Sequence, residues 1–539
     1  MRMTNKIMQN NSLYNINNNK ILQDKLSTMM STQKKITRPS DDPIIAIRAL
    51  RLRTTVSDLT QYYGKNVPDA ESWLEVTEKA LGTVVDVITD LTKQANLAAN
   101  KEKGPEDLAV FIQQMKQLRD EYYSTGNSDF AGRYVFTGYR TNTSLSFKGD
   151  EIKTATATTP AYPQYTITEQ ITMQDFDSVN YTYTTDGNGK NDLLDGLNKD
   201  SWKEPQYANI EEKQVFNTDI HRIRLSYNDL EAADKKGNPP SIQYKDANGN
   251  LQDLTTIAGV PAVTTVPDGT DPYQAVREDP DAMIFVPETG EILMGDNVFS
   301  TLQQSPDVTT TTELQVTYDK HNWKKNDLKP EHYFACTGTT LNADGTEKTV
   351  NYNQEYLKGE EETQIIEYDV GYNQKIRVNT TAREAFTHDL GRDIDDLEEA
   401  LKSVTELNAT VKDLEKVLDG LQDPADKAMV QKQLDAAKKA YDYTRENIHD
   451  MFQSTISSMQ SYLDQVNKAN TDSGTRSSRL ELIDNRLMDQ KATFESLQSE
   501  NEDIDIAEVI VKLTSADLTY NSALMATGKI MQTSLMNYI

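Results

Sequence analysis

Residues 67–98 read VPDAESWLEVTEKALGTVVDVITDLTKQANLA. Val67, Ala70, Leu74, Leu81, Val84, Ile88, Leu91, Ala95 and Ala98, with Thr77 in register, advance by alternating steps of three and four. This is the a/d seam of a heptad repeat, and it predicts one continuous helix packed on another long helix. Lys101-Glu-Lys-Gly-Pro105 stops it, and a second helix follows with Leu108, Phe111, Ile112, Met115, Leu118 and Tyr122 on one face.

Working outward, the C-terminal third has the same texture. Leu390, Ile394, Leu397, Leu401 and Val404 form one seam; Leu407, Val411, Leu414, Leu418 and Leu421 form the next, joined by a stammer. Asp423-Pro424 restarts a helix, with Asp as N-cap and Pro in the first turn. That helix is expected to run to about Asn470, where Thr471-Asp-Ser-Gly474 breaks it. A further seam holds Leu480, Ile483, Leu487, Gln490, Phe494 and Leu497. From Ile504 a last stripe passes through Ile510, Leu513, Tyr520, Leu524, Met531, Leu535 and Tyr538. The Asn-rich start carries a weak stripe of Met3, Ile7, Tyr14, Ile21, Leu26 and Met30, marginal as a helix alone.

Between these ends the period changes. Ile223-Arg-Leu225-Ser-Tyr227, Ile242-Gln-Tyr244, Leu314-Gln-Val316-Thr-Tyr318 and Ile366-Glu-Tyr368-Asp-Val370 alternate with period two, as half-buried strands do. Turn signals separate them at Asp186-Gly-Asn-Gly189, Ala247-Asn-Gly249, Glu288-Thr-Gly290 and Ala343-Asp-Gly345. Residues 259–273, with three prolines, read as a linker or long loop. The fold class is therefore mainly α with inserted β: N- and C-terminal helices forming an elongated antiparallel coiled-coil bundle, and a β-rich insert over residues 148–376, as one domain or as two with a break near 259–273.

Composition narrows the function. The 539 residues carry 56 Lys plus Arg against 84 Asp plus Glu, a formal charge of −28, which argues against a dedicated nucleic-acid binder. Mean hydropathy is −0.68, and no run of about 18 apolar residues offers a membrane span. The N-terminus lacks the apolar core of a Sec signal. One cysteine, Cys336, excludes an internal disulfide and a Cys-ligated metal site. The five histidines form no HExxH, and neither a Walker A loop nor a GxSxG elbow is present. His332 and Cys336 would share a strand face, but a small buried thiol near a surface histidine is the plainer reading. Residues 186–192 (DGNGKND) depart from a calcium loop at positions five, six and twelve and read as a turn. The carboxylate runs at 393–399 and 500–503 read as solvated helix faces. No catalytic, metal or cofactor residue is assigned, and the chain is expected not to be an enzyme.

Three segments together resemble the flagellin superfamily, and within it the FlgL-type hook-associated (hook–filament junction) proteins. Residues 31–43 (STQKKITRPSDDP), followed by IIAIRALRLR, follow S-x-G-K-x-I-x-x-P-S-D-D-P, with Gln33 where glycine is usual. Residues 127–141 (NSDFAGRYVFTGYRT) follow N-x-x-x-x-G-R-Y-x-F-x-G-x-x-T, and the place before Phe147, commonly proline, is Ser146. Residues 520–539 (YNSALMATGKIMQTSLMNYI) follow Y-x-A-x-L-x-x-x-x-K-I-x-x-x-S-L-x-x-x-L, with Ser522 and Ile539 as departures.

The resemblance implies a structural subunit of the bacterial flagellum joining hook to filament. It implies axial-core segments at 1–66 and 501–539, bundle halves at 67–147 (with a β-hairpin) and 377–500, and an outward-facing insert. It further implies export by the flagellar type III apparatus, an extracellular location and a chaperone on the C-terminal helix. Implied partners are further copies of the chain in a helical ring or fibre, a hook-side hook-associated protein and filament flagellin, with no nucleic acid or membrane. Candidate assembly residues are Arg133, Tyr134, Leu480, Ile483, Leu487, Phe494, Leu497, Leu524, Met531 and Leu535, each of which also suits plain core. Two other readings stand beside this one: a filament flagellin, and a fibre-displayed adhesin or enzyme carried by the insert.

Overall fold

A computed structural model of the chain describes residues 5–155, 160–186, 192–234, 237–246, 249–267, 269–342, 346–358 and 364–532. The helices are α1 (Asn5–Thr32), α2 (Pro43–Gln61), α3 (Val67–Ala98), α4 (Pro105–Thr125), α5 (Pro272–Glu278), α6 (Asp296–Gln304), α7 (Ala382–Ala385), α8 (Asp389–Gly420), α9 (Pro424–Glu502) and α10 (Ile506–Gln532), with a π-turn at Tyr62–Asn66. The strands are β1 (Asp129–Phe130), β2 (Arg133–Tyr134), β3 (Gln164–Ile171), β4 (Phe176–Thr184), β5 (Val215–Arg224), β6 (Ser241–Lys245), β7 (Leu251–Asp253), β8 (Thr264–Thr265), β9 (Met283–Val286), β10 (Glu291–Met294), β11 (Leu314–Lys320), β12 (Ala335–Leu341), β13 (Glu347–Tyr352), β14 (Glu367–Gly371) and β15 (Gln374–Arg377). Helices thus occupy both ends of the chain and sheets its middle. The chain divides into two compact units, Ser72–Ile366 with Arg377–Thr475, and Met1–Glu71 with Glu367–Ile376 and Arg476–Ile539.

In the larger unit the heptad seam does what its spacing predicts. Leu74, Thr77, Leu81, Val84, Ile88, Leu91, Ala95 and Ala98 are all buried. Thr77 is tolerated there because its hydroxyl donates to the Trp73 carbonyl at 2.9 Å. Ion pairs fix antiparallel neighbours. Lys116–Glu398 (2.8 Å) and Lys412–Glu106 (3.7 Å) set α4 against α8, and Lys438–Glu415 (2.8 Å) sets α8 against α9. Lys101–Glu446 (3.6 Å) holds the segment after α3 to α9.

The helix expected to break at Gly474 does not break: α9 continues to Glu502. A lone glycine in a helix costs only about 1 kcal/mol. Here Ser473 is buried on one side, and Leu480, Ile483 and Leu487 continue the buried stripe on the other.

The insert carries two large sheets, ordered β4-β5-β10-β9-β8 and β13-β12-β3-β11-β6-β7, and β14 pairs with β15 in a separate two-stranded sheet. Every pairing within the two large sheets is antiparallel except β8 with β9. One buried cluster joins their faces, including Ile167, Ile242, Val316 and Tyr318 from one sheet and Ile223, Phe285 and Ile292 from the other. Val260 and Val263, inside the proline-bearing 259–273 loop, belong to the same cluster. The turn signals at 187–191, 247–248 and 343–345 lie outside the described residues. The hairpin β1–β2 turns through Ala131 (φ 52°) and Gly132 (φ 77°), two consecutive left-handed residues, as a two-residue hairpin loop requires.

The opposite face of β5 carries Arg222 and Arg224, and these correct the reading of the 393–399 run. Arg222 pairs with Glu291, with Asp396 at 2.7 Å and with Asp177 at 3.0 Å; Arg224 pairs with Asp393 at 2.7 Å and Asp396 at 3.1 Å. Tyr462 of α9 donates to Asp393 at 2.9 Å. Glu291 is 1% exposed, and Asp393 is buried. Burial alone would raise the Asp396 carboxyl, but the Arg222 and Arg224 charges outweigh it and hold it at about 2. Glu398 and Glu399 do remain exposed.

Removing Arg222 leaves the buried Glu291 without its cation and Asp396 with Arg224 alone. Arg222→Ala is therefore expected to cost about 3–5 kcal/mol, read as a lower urea midpoint at unchanged slope. Burial also keeps two histidines neutral: His388, its Nε2 2.9 Å from the Tyr227 hydroxyl, and His332, its Nε2 3.1 Å from the Ser144 carbonyl, are both lowered to about 3. The unfolded chain then binds more protons below pH ~6.5, so stability is fully present above that value and is lost as pH falls toward the folded values. Each histidine is expected to withdraw of order 1–2 kcal/mol by pH ~5, and a urea midpoint unchanged from pH ~7.5 to ~5 would contradict their burial.

Candidate assembly surface

The terminal unit begins with a capped turn. Asp42 is the N-cap of α2, its carboxylate accepting from the Ile44 and Ile45 amides at 3.0 and 3.1 Å, and Pro43 occupies the first helical position. Asp41 accepts from the Arg38 amide at 3.0 Å, which lowers its carboxyl. Near the other end of the chain, Glu500 is exposed as expected, but Glu502 and Asp503 of the 500–503 run are not a free acidic face. Glu502, 3% exposed at its side chain, takes both prongs of Arg53 at 2.6 and 2.7 Å and lies 3.5 Å from Lys34. Lys34 also reaches Asp503 at 2.5 Å. The Arg53 hydrogen bonds hold the Glu502 carboxyl down, and the Lys34 hydrogen bond does the same for Asp503. Backbone bonds complete the joint, with the Lys35 amide on the Glu502 carbonyl (2.7 Å) and the Ile504 amide on the Gln33 carbonyl (3.2 Å).

This joint aligns α1 with α10. Leu26 packs with Val509 and Ala516, against Met29, Ile504 and Leu513, and Gln23 donates to Asp517. The pair is therefore antiparallel. The inward stripe of α10 is Val509, Leu513, Ala516, Tyr520, Ala523 and Thr527, a heptad seam offset from the stripe expected from sequence. Leu513 and Tyr520 were expected inward and are; Ile510 (44% exposed) and Leu524 (43%) face out.

The inward stripe of α1 is mostly polar: Gln9, Ser12, Ile16, Asn19, Gln23 and Leu26. Its apolar heptad, Ile7, Tyr14 and Ile21, is 48, 67 and 68% exposed. α10 shows a matching set at the same seven-residue step: Val511, Leu518 and Met525, at 68, 70 and 69%. Ile44, Ile47 and Leu50 of α2 are also largely exposed. A helix pair in which α1 turns polar residues inward while both helices keep an apolar heptad outward presents an unfilled packing surface.

The candidate assembly residues fall in several environments. Leu480, Ile483 and Leu487 are buried within this unit, Phe494 is half-buried and Leu497 is 44% exposed. Met531 lies in α10 with its side chain outside the description, and Leu535 lies outside the described residues. In the other unit, Arg133 lays its guanidinium 5.0 Å from the Trp73 ring and 5.3 Å from Phe130. Tyr134 accepts from Lys148 at 2.7 Å. Val511, Leu518 and Met525 were missed; their strict seven-residue spacing was the available signal.

The chemical candidates resolve plainly. His332 sits in a short 3₁₀ turn (Pro330–His332) rather than on a strand with Cys336. Cys336 is 2% exposed, and burial pushes its thiol up, away from nucleophilic use. The centre of the calcium-like loop, 187–191, lies outside the described residues. Among the described residues no three His, Cys, Asp or Glu side chains are grouped to hold a metal, and no helix is long and apolar enough to cross a membrane.

Comparison with known proteins bears on the first of these elements. The family model for the bacterial flagellin N-terminal helical region matches residues 3–141. Flagellar hook-associated protein 3 of Salmonella typhimurium is 31% identical over 142 residues, 26% of this chain and 44% of that protein. The protein of the same name from Escherichia coli is 30% identical over 144 residues, 26% of this chain and 45% of its own. The chain thus spans less than half the length of the curated relatives it matches. A crystal structure of Xanthomonas campestris FlgL covers 84% of this chain and 99% of its own at 13% identity, with a TM-score of 0.28.

The resembled pattern has glycine at position 33, and the structure gives the reason. Gln33 has φ 58°, a left-handed conformation that costs a non-glycine residue about 1 kcal/mol or more. Gln33→Gly is therefore expected to stabilise the joint between α1 and α10 by up to ~1 kcal/mol, seen as slower proteolysis of the terminal helices. Faster proteolysis would show that the Gln33 side chain contributes more than its backbone costs.

Proposed function

We propose that this chain, whose residues 3–141 match the family model for the flagellin N-terminal helical region, is a structural subunit joining the flagellar hook to the filament. The observation that carries the reading is the pair of outward apolar heptads, Ile7–Tyr14–Ile21 and Val511–Leu518–Met525, on a helix pair in which the inward stripe of α1 is largely polar. Burying such stripes against like helices supplies roughly 25 cal/mol per Å² of apolar surface removed from water. Heterologous contacts of this kind need not close on themselves and so build rings or fibres. The partners in this reading are further copies, a hook-side hook-associated protein and filament flagellin. A chaperone would cover the α10 stripe before export through the flagellar type III apparatus to the cell exterior. The role is mechanical and calls for no catalytic group.

A strain lacking the chain is expected to show bare hooks by electron microscopy and free flagellin in its medium. Bare hooks with little flagellin would instead identify a filament subunit, and intact filaments would overturn both. Leu518→Glu, at a side chain 70% exposed, is expected to leave the urea midpoint of the isolated chain unchanged while failing to restore filaments to that strain. Full restoration would remove the α10 stripe from the assembly surface.

A further inference from the structure

A cleft of about 1160 Å³ lies between the β4-β5-β10-β9-β8 sheet and helices α8 and α9, wholly within the larger unit. One wall is the stripe Glu399, Ser403, Glu406 and Thr410 of α8, at steps of four, three and four. Glu399 and Glu406 are seven residues apart, so their attachment points stand about 10 Å apart along the helix. The other wall is the ring stack Tyr183–Tyr181–Tyr273, with centroids 5.9 and 5.6 Å apart. Asp192 and Asp195 close one side.

The charge is one-sided. Nine carboxylates line the cleft against two arginines. Arg222 is taken by Glu291 and Asp396, and Arg392 donates to the carbonyls of Leu225 and Thr289. Among the described residues no lysine, arginine or histidine lies in ion-pair contact with Asp192, Asp195, Glu399 or Glu406. The buried Thr184 hydroxyl, which lines the same space, stands near Asp192 without completing a hydrogen bond to it. These carboxylates are not grouped as metal ligands, among the described residues. Spread anions facing an aromatic and aliphatic wall suit separated cations on an apolar spacer.

We infer that the cleft binds a linear aliphatic diammonium or polyammonium ion, its ends on Glu399 and Glu406 and its methylenes along the tyrosine stack. The inference does not rest on the flagellar reading. The test is calorimetric titration of the full chain, at ionic strength well below ~0.15 M, with 1,8-diaminooctane and with 1,4-diaminobutane. Both carry two charges, and only the first spans the two glutamates. The longer diamine is expected to bind at least about tenfold more tightly, and Glu399→Gln with Glu406→Gln is expected to abolish that difference. Both glutamates are exposed, so circular dichroism should show the double variant folded. Equal binding of the two diamines, or length selectivity that survives in the double variant, would overturn the inference and leave only non-specific attraction to an acidic chain.

Discussion

A guanidinium buried as deeply as that of Arg222 admits few arrangements around it. Its side chain is 6% exposed and that of Glu291 1%, so either charge left alone would cost several kcal/mol. β5 and β10 pair with Glu291 opposite Arg224, so Arg222, opposite Leu293, reaches Glu291 on the diagonal, and α8 presents Asp396 to the same point. Arg224, two residues along the strand, meets Asp393, one helical turn earlier on α8. Period two on the strand thus meets period 3.6 on the helix through two ion pairs, and Tyr462 of α9 bonds to one of them. That attachment holds one end of the sheet to α8. Farther along, where Glu399 and Glu406 face the tyrosines, the same surfaces line a cleft.

The terminal helices follow the opposite logic. Their charges lie at the joint, where Arg53, Lys34, Glu502 and Asp503 fix how the chain turns from one helix to the next. Their packing is left incomplete. The α1 seam spends Gln9, Ser12, Asn19 and Gln23 on α10, while tyrosine, isoleucine, leucine and methionine stand in solvent. For a chain acting alone this would be a poor use of apolar residues. For one that meets copies of itself it is the expected distribution.

Much of the helical architecture was legible. The boundaries of α3, the Gly104-Pro105 restart and the Asp423 cap are local events, governed by periodicity, backbone freedom and the first-turn amides. The alternation that marked β6, β11 and β14 is local too, whereas of the 223–227 run only Ile223 and Arg224 lie in β5 and Leu225–Tyr227 fall beyond its end. The misreadings have a common form. Gly474 was weighed by its own propensity, yet the packing of its neighbours decided the helix. The acidic runs at 393–399 and 500–503 were read as solvated because their cations lie far away in sequence, at 222, 224, 34 and 53. In the terminal unit the apolar residues were visible, but which of the two stripes of α10 turned inward was not.

Heptads in the linear chain were sufficient to establish long paired helices at both ends, because residues repeating every three and four positions fall on one face of a helix and give it a continuous packing stripe. Alternation in the middle established strands for the same reason, with period two in place of 3.5. The tertiary structure alone decided which carboxylates are buried and which solvated, and which apolar heptad packs within the chain and which is left open. Those outcomes depend on long-range partners: a charge is solvated or buried, and a stripe core or surface, only according to what the fold brings opposite it.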